Sequence, residues 1–180
     1  MEKFFNIANE TDHIVKIELV NGKKHNPLSL KLIRELTNSL IQISLQKNIK
    51  VLIISSEGPA FSAGHDLDEL RRNKNNKKFF KELFDECSNL MQTIMNLPQP
   101  VIAEVCGIAA AAGCQLVASC DLAVASEKAN FMTPGVNIGL FCSTPMVAVS
   151  RNLSRKKIME MLLTGEKLSA KEAVDYGLIN

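Results

Sequence analysis

The sequence predicts a mixed α/β fold, because short apolar runs with the character of strands alternate with longer segments of helical spacing. The chain has 180 residues, of which 46% are hydrophobic, so it can bury a sizeable core. This length makes a single domain over residues 1–180 the expectation. Four strands are predicted, over residues 13–20, 50–56, 101–106 and 121–126.

The first strand and the segment after it are typical of a parallel crossover. Along residues 13–20, the apolar Val15, Ile17 and Leu19 alternate with polar side chains, which is the pattern of a half-buried strand. Residues 29–46 then carry apolar side chains on one helical face and polar or charged side chains on the other. Because this helix lies between two strands, we expect a βαβ unit whose strands run parallel.

Helices are also predicted in the rest of the chain. A long one over residues 79–97 has Phe and Met side chains at core spacing, and a proline at position 98 ends it. The basic run before it, RRNKNNKK at 71–78, is typical of a mobile solvent loop. Three short helices with possible serine N-caps are predicted near the end, over 144–153, 154–164 and 169–176.

Composition and charge limit the classes of partner. The formal net charge is only +2, which argues against a nucleic-acid partner bound through bulk charge. No stretch approaches the ~20 apolar residues of a membrane span. The N-terminal segment contains acidic residues and no arginine, unlike a transit peptide. The five cysteines show no paired spacing, which indicates free thiols in a reducing compartment, either mitochondrial or cytoplasmic.

The stretch Gly107–Ser126, GIAAAAGCQLVASCDLAVAS, is the first candidate for a site. It follows the predicted strand at 101–106 and has no large side chain between Gly107 and Cys114. A helix that begins in this turn leaves unpaired backbone N–H groups at the positive end of its dipole. Small side chains let a ligand oxygen approach these donors, as an oxyanion-binding site requires. The alternative is a tightly packed strand–turn–helix that binds nothing.

A second turn of the same kind lies at Phe61–Leu70, FSAGHDLDEL. It follows the predicted strand at 50–56 and turns on three small residues that end at Gly64. The first backbone N–H after the turn belongs to His65. Two turns at strand ends can each offer one N–H to a single carbonyl oxygen, so the two stretches together indicate one oxyanion site.

Five motifs in this order resemble the crotonase superfamily, the enoyl-CoA hydratases and isomerases. They extend over nearly the whole chain and comprise Lys24-His25-Asn26, AGHDL at 63–67, the stretch Gly107–Ser126, FMTPGVNIGLF at 131–141 and TGEKLSAKEAVDYGLI at 164–179. Each motif is moderately specific alone, and their shared order makes the resemblance strong. The resemblance implies a crotonase-like (ClpP/crotonase) spiral of ββα units.

The resemblance also implies a ligand and an assembly. The ligand is an acyl-CoA thioester, whose coenzyme A is part of the substrate, so no separate cofactor is expected. We expect no metal site either, since the three histidines show no ligand spacing. Members of the family form homotrimers, in some cases paired into hexamers. They also continue beyond the position of Asn180 with further helices, so this chain is expected to lack that C-terminal helical part.

Residue by residue, the resemblance makes the backbone N–H groups of His65 and Ala112 the two oxyanion donors. Further contacts with the substrate are implied for Lys23, Lys24, His25, Ala63, Gly64, Asp66, Leu67 and Gly113. The lysines are candidates for the CoA phosphates, or else belong to a solvated loop. Asp66 is expected to cap a helix rather than act as an acid.

The acids that hydratases of this family use are absent. The resemblance places one glutamate at Gln115 and the other at Gly135, while other branches have an aspartate at Ser143. None of the three residues present can carry a proton at the required pKa, and each such group is typically worth ~10²–10⁴ in rate. Glutamates restored at Gln115 and Gly135 are expected to raise hydration.

Several alternatives stay open. Cys114 could be a thiolate stabilised by the helix start or a small buried apolar residue. The His65 imidazole could shuttle protons or have no chemical role. The chain could be an acyl-CoA enzyme of fatty-acid or acyl-CoA metabolism with altered chemistry, such as slow isomerisation, decarboxylation or thioester hydrolysis. It could instead be a non-catalytic acyl-CoA-binding protein or a scaffolding subunit.

Overall fold

The computed structural model of the chain describes residues 3–180, and the first two residues of the predicted domain lie outside this part. The strands it contains are β1 (Phe5–Thr11), β2 (Ile14–Leu19), β3 (Val51–Ser56), β4 (Ala60–Ser62), β5 (Val101–Val105), β6 (Ile108–Ala110), β7 (Leu122–Ala125), β8 (Asn130–Met132) and β9 (Leu168–Ser169).

The α-helices of the described residues are α1 (Leu30–Ser44), α2 (Leu67–Arg72), α3 (Lys77–Asn96), α4 (Ala112–Ser119), α5 (Ser143–Val149), α6 (Arg155–Thr164) and α7 (Ala170–Asp175). Two short 3-10 helices are present at Gly22–Lys24 and Pro134–Ile138. Over residues 3–180, no helix combines the length and the apolar character needed to cross a bilayer.

The first sheet contains five strands in the order β1-β2-β3-β5-β7. Its neighbouring strands run parallel, except for the antiparallel pair β1 and β2. The last four are the strands predicted from the sequence, which confirms the mixed α/β class and the parallel crossover through α1. The sequence does not predict β1, because five of its seven side chains are exposed and it lacks an apolar alternation.

The second sheet has the order β4-β6-β8-β9 and is parallel except for β9. The first three of its strands directly follow β3, β5 and β7, so each pair contributes one strand to each sheet. Helices follow two of these pairs, which agrees with the expected repetition of ββα units. The sequence does not predict this sheet, because strands of two or three residues are too short to show a period.

Helix α4 is buried on almost all sides, and of its eight residues only Ala118 is partly exposed. It packs against α3 and α5 and against the strands β4 and β6. Its small residues allow this packing: a Cβ atom added to Gly113 would lie only 2.3 Å from the carbonyl oxygen of Ser62. The small-residue turn therefore brings the start of α4 directly against the end of β4.

The basic run at 71–78 is not the solvent loop that the sequence predicts. Helix α2 includes its first two residues, and α3 begins at Lys77, so only residues 73–76 connect the two helices. The asparagines of the run explain the difference, because the Asn76 side chain caps α3 by accepting from the Phe79 N–H at 3.0 Å.

The two serines predicted as N-caps differ in the structure. Ser169 caps α7, and with Glu172 it forms a capping box. Ser154 occupies the N-cap position of α6, but its side chain makes no capping hydrogen bond. The predicted N-cap position is therefore confirmed for both serines, while only Ser169 caps its helix with a side-chain hydrogen bond.

Candidate functional site

The first predicted turn follows the end of β4. Gly64 has a φ of +90°, a conformation that glycine adopts without a steric cost. Its N–H donates to Ser62 Oγ at 3.2 Å, and its carbonyl oxygen accepts from the Leu28 N–H at 2.8 Å. Within residues 3–180, the next N–H along the chain, that of His65, has no hydrogen-bond acceptor outside the regular helices and strands.

The second predicted turn lies between β6 and α4. The Ala111 N–H donates to the Met132 carbonyl oxygen at 3.0 Å, and the first hydrogen bond of α4 runs from the Gln115 N–H to the Ala111 carbonyl oxygen. The N–H of Ala112 precedes that bond, so it has no partner inside the helix. It also lies at the positive end of the helix dipole, where an anion is stabilised.

The fold brings these two turns into contact. Strands β4 and β6 are parallel neighbours, so their carboxyl ends meet at the same edge of the second sheet. A Cβ atom added to Gly64 would lie 3.1 Å from the Ala112 nitrogen and 3.0 Å from the Ala110 carbonyl oxygen. The two backbones approach so closely that any side chain at Gly64 would crowd the first N–H of α4. The predicted neighbourhood of the two turns is thus present.

Ala111, the residue before α4, has a strained backbone with φ +49° and ψ −119°. A residue with a side chain adopts this region rarely, at a cost of about 1–3 kcal/mol. Such strain persists only where the surroundings impose it. Here the hydrogen bond to Met132 and the contact of Ala111 with Gly64 fix the conformation.

The strain at Ala111 predicts a gain in stability for Ala111→Gly. We expect the free energy of unfolding to rise by about 1 kcal/mol, because relief of about 1–3 kcal/mol outweighs the entropy cost of glycine. The midpoint of thermal unfolding should rise by about 2–4 °C. The matched control is Ala118→Gly, in the same helix, which should lose about 1 kcal/mol. A destabilised Ala111→Gly variant would contradict the assigned strain.

The buried residue Asn26 holds the first turn in place. The sequence indicates it only as part of a motif. Asn26 is fully buried; its side chain accepts from the Asn21 N–H and donates to the carbonyl oxygens of Glu57 and Ala60. Its own carbonyl oxygen accepts from Ser62 Oγ at 2.8 Å. Asn26 thus connects the Lys24-His25-Asn26 motif to β4 through hydrogen bonds. Its backbone φ of +49° lies in the left-handed region, which few residues other than glycine and asparagine adopt.

The predicted contacts with the CoA phosphates lie beside this turn. Lys23, Lys24 and His25 are exposed, and the His25 carbonyl oxygen accepts from the Ala63 N–H at 2.9 Å. The backbone of this segment is therefore held against the turn, and its basic side chains are exposed to solvent, where an anionic ligand can reach them. Asp66 caps α2 by accepting from two backbone N–H groups, as predicted. Leu67, at the start of that helix, is half exposed.

The three positions assigned to acids have different surroundings. Gln115 is only 6% exposed, and its Oε1 has no hydrogen-bond partner among the described residues. A Cβ atom added to Gly135 would lie 2.4 Å from the Leu140 carbonyl oxygen and 2.7 Å from Cys142 Sγ. Ser143 is exposed at the start of α5. A glutamate at Gly135 would therefore clash with the Leu140 backbone, which argues against the expected gain in hydration from an acid at this position.

Burial bears on both the cysteine and the histidine alternatives. Burial raises the pKa of the Cys114 thiol to about 12, so Cys114 is a small buried residue and the thiolate alternative is wrong. Burial lowers the pKa of His65, which favours a neutral imidazole whose Nδ1 lies 3.4 Å from the Leu28 carbonyl oxygen. Across residues 3–180, no group of three metal-ligating side chains is close enough to hold an ion.

Comparison with known proteins identifies the family of the chain. The sequence profile described as Enoyl-CoA hydratase/isomerase matches residues 9–180. The chain is 53% identical to the human protein named enoyl-CoA hydratase domain-containing protein 3, mitochondrial, over 96% of this chain and 57% of that protein. It is 32% identical to a probable enoyl-CoA hydratase of Bacillus subtilis, over 97% of this chain and 67% of that protein. The chain thus spans little more than half the length of the human relative.

Solved structures show the same fold. The crystal structure of human enoyl-CoA hydratase domain-containing protein 3 superposes with a TM-score of 0.94 at 50% identity, over 99% of this chain and 70% of that chain. An enoyl-CoA hydratase from Mycobacterium smegmatis gives a TM-score of 0.96 at 42% identity, over 99% and 69%. These matches confirm the predicted crotonase-like fold. The chain belongs to the enoyl-CoA hydratase/isomerase family.

Proposed function

We propose that this protein binds acyl-CoA thioesters and polarises the thioester carbonyl with the backbone N–H groups of His65 and Ala112. Negative charge that develops on that oxygen, in an enolate or a tetrahedral intermediate, would be stabilised by both donors and by the dipole of α4. Lys23 and Lys24 would bind the phosphates of coenzyme A. The reaction belongs to fatty-acid or acyl-CoA metabolism and differs from ordinary hydration, because the usual acids are replaced.

One observation carries this proposal: the two turns meet so closely that a Cβ atom added to Gly64 would lie 3.1 Å from the Ala112 nitrogen. Among residues 3–180, neither the His65 N–H nor the Ala112 N–H has a hydrogen-bond acceptor outside the regular helices and strands. Unpaired backbone donors are rare in proteins, so two at one sheet edge are costly unless something binds there. Fixed backbone donors also need no reorganisation when charge develops on the substrate. The strained Ala111 supports the same interpretation, since strain concentrates at functional sites.

A non-catalytic acyl-CoA-binding protein is the second candidate function. The closed space at Gly135 favours it, because the segment around Leu140 and Cys142 occupies the place where the second glutamate of the family would begin. The loss of the second acid is therefore accompanied by a change in the shape of the surrounding pocket. Measured turnover of any acyl-CoA would decide between the two candidates.

The variant Gly64→Ala tests acyl-CoA binding. Its methyl group would lie 3.1 Å from the Ala112 nitrogen and block access to that donor. Calorimetric titration with butyryl-CoA should show at least tenfold weaker binding, about the worth of one lost hydrogen bond. The control is Gly177→Ala, since Gly177 has a similar φ of +84° but its added Cβ meets its nearest neighbour at 3.6 Å. Equal affinity of both variants and the wild type would contradict the proposed site.

The assembly and the compartment follow from the relatives. We propose a homotrimer, or a hexamer of two paired trimers, as the family resemblance implies. In support, the segment after Gly135 exposes the large apolar side chains of Ile138, Leu140 and Phe141, which a further surface would cover. We propose a mitochondrial location, because the human relative carries that word in its name.

A further inference from the structure

A cleft of about 160 Å³ lies between α3, α4 and α5. Its wall is mainly apolar and includes Phe84, Met91, Met95 and Val147. The sequence indicates the Phe and Met side chains of α3 as core residues. In the structure, however, Met91 is buried while Phe84 and Met95 are partly exposed. A partly open apolar cleft of this kind suits the methylene groups of a short acyl chain.

The cleft reaches α4, the helix that carries one of the two proposed oxyanion donors. Gln115, which lines it, follows Ala112 by three residues on α4, which corresponds to a rise of about 4.5 Å along the helix. Gln115 is nearly buried, and within the described chain its Oε1 has no hydrogen-bond partner. A buried amide oxygen without a partner is costly, so a ligand or a water bound to it is expected to complete this site.

The cleft has one charged side chain among its described lining residues, that of Arg151. Over residues 3–180, no carboxylate lies within salt-bridge distance of this guanidinium. Its Nη1 instead contacts the Met95 sulfur at 3.6 Å, which is a weak acceptor. A guanidinium presents several donors in a planar fork that matches a carboxylate. Arg151 thus retains its capacity to bind an anionic group of a ligand.

We propose that the cleft receives a short acyl chain that ends in a carboxylate, so that the substrates are CoA thioesters of dicarboxylic acids. This inference rests on the proposed acyl-CoA binding. The thioester carbonyl lies at the two turns, the methylene groups pass Gln115 and the methionine side chains, and the distal carboxylate pairs with Arg151. The apolar wall and the single guanidinium together select a chain that is apolar along its length and negative at its end.

The test compares glutaryl-CoA with pentanoyl-CoA, two probes of equal carbon number that differ in the distal carboxylate. Calorimetric titration should give about tenfold tighter binding of glutaryl-CoA to the wild type, as a charge-assisted pair with arginine provides. Arg151→Gln should remove this preference and leave the affinity for pentanoyl-CoA unchanged. Arg151→Glu should bind glutaryl-CoA more weakly than pentanoyl-CoA, because like charges repel.

The control variant is Arg155→Gln, which removes an exposed arginine outside the cleft. It should keep the preference for glutaryl-CoA, which separates a local pair from a general effect of positive charge. If the wild type and Arg151→Gln bind both probes equally well, the distal carboxylate site is wrong and acyl-CoA binding stands. If the wild type binds neither probe, the proposed function fails together with this inference.

Discussion

Crotonyl-CoA is expected to be hydrated by this protein at least about 10⁴-fold more slowly than by a relative with both glutamates. Each general acid or base is worth ~10²–10⁴ in rate, and both positions have lost theirs. The residual rate should be set by the oxyanion donors and by binding. Loss of the enoyl absorbance of crotonyl-CoA measures the rate directly. Fast hydration that persists in Gln115→Ala would show that the chemistry lies elsewhere.

The single change Gln115→Glu should raise the hydration rate by about 10²-fold or more, because it restores one acid at nearly constant volume. Gln115 is buried, and burial raises the pKa of a carboxyl group, which favours a proton donor near neutral pH. The matched control is Gln115→Met, of similar length and without an ionisable group, which should not raise the rate.

The second restoration, Gly135→Glu, should not add to this gain. Its Cβ atom would lie 2.4 Å from the Leu140 carbonyl oxygen, a backbone atom that cannot move independently. We therefore expect a less stable protein, visible as a lower midpoint of thermal unfolding, rather than a faster one. An additive gain in rate from Gly135→Glu would show that the segment after Pro134 opens to admit the side chain.

The variant Ala112→Pro should lose the polarisation of the substrate carbonyl. Proline has no N–H, so one of the two donors disappears, and loss of an oxyanion donor typically costs ~10²–10³ in turnover. Independently of turnover, the carbonyl stretch of bound butyryl-CoA should shift to lower frequency in the wild type and shift less in the variant. Proline is well tolerated at the first position of a helix, where no intrahelical bond is lost.

The comparison for this variant is His65→Ala, which removes the side chain and keeps the backbone donor. We expect turnover or binding within about threefold of the wild type, since motif geometry requires only the N–H at this position. Circular dichroism and thermal unfolding of both variants check that each one folds. An effect of His65→Ala as large as that of Ala112→Pro would assign a chemical role to the imidazole, whose ring packs edge-on against Phe84 at 5.5 Å.

The sequence by itself determined the elements whose pattern is local. Apolar alternation and helical spacing predicted β2, α1 and α3 to within about two residues, because side-chain burial repeats with the backbone period. The order of five motifs determined the family, and the small residues near Gly64 and Gly113 marked the two turns. The missing acids were also visible, since the residue type at positions 115 and 135 needs no structure to be identified.

Only the tertiary structure decided how distant segments meet. Strands of the second sheet are too short for a period, so their pairing, and with it the contact between Gly64 and Ala112, depends on long-range packing. The same holds for Asn26, whose three side-chain hydrogen bonds reach Asn21, Glu57 and Ala60. Contacts made across many residues leave no signal in a local window of sequence.

The structure also decided which substitutions leave room for chemistry. Gln115 and Gly135 are equivalent in the sequence as lost acids, yet one lies beside a cleft and the other is closed by Leu140 and Cys142. Arg151 belongs to none of the five motifs. Its position in the cleft results from the packing of α5 against α4. The available volume at a position is set by every neighbour that packs there, so it is a property of the folded chain alone.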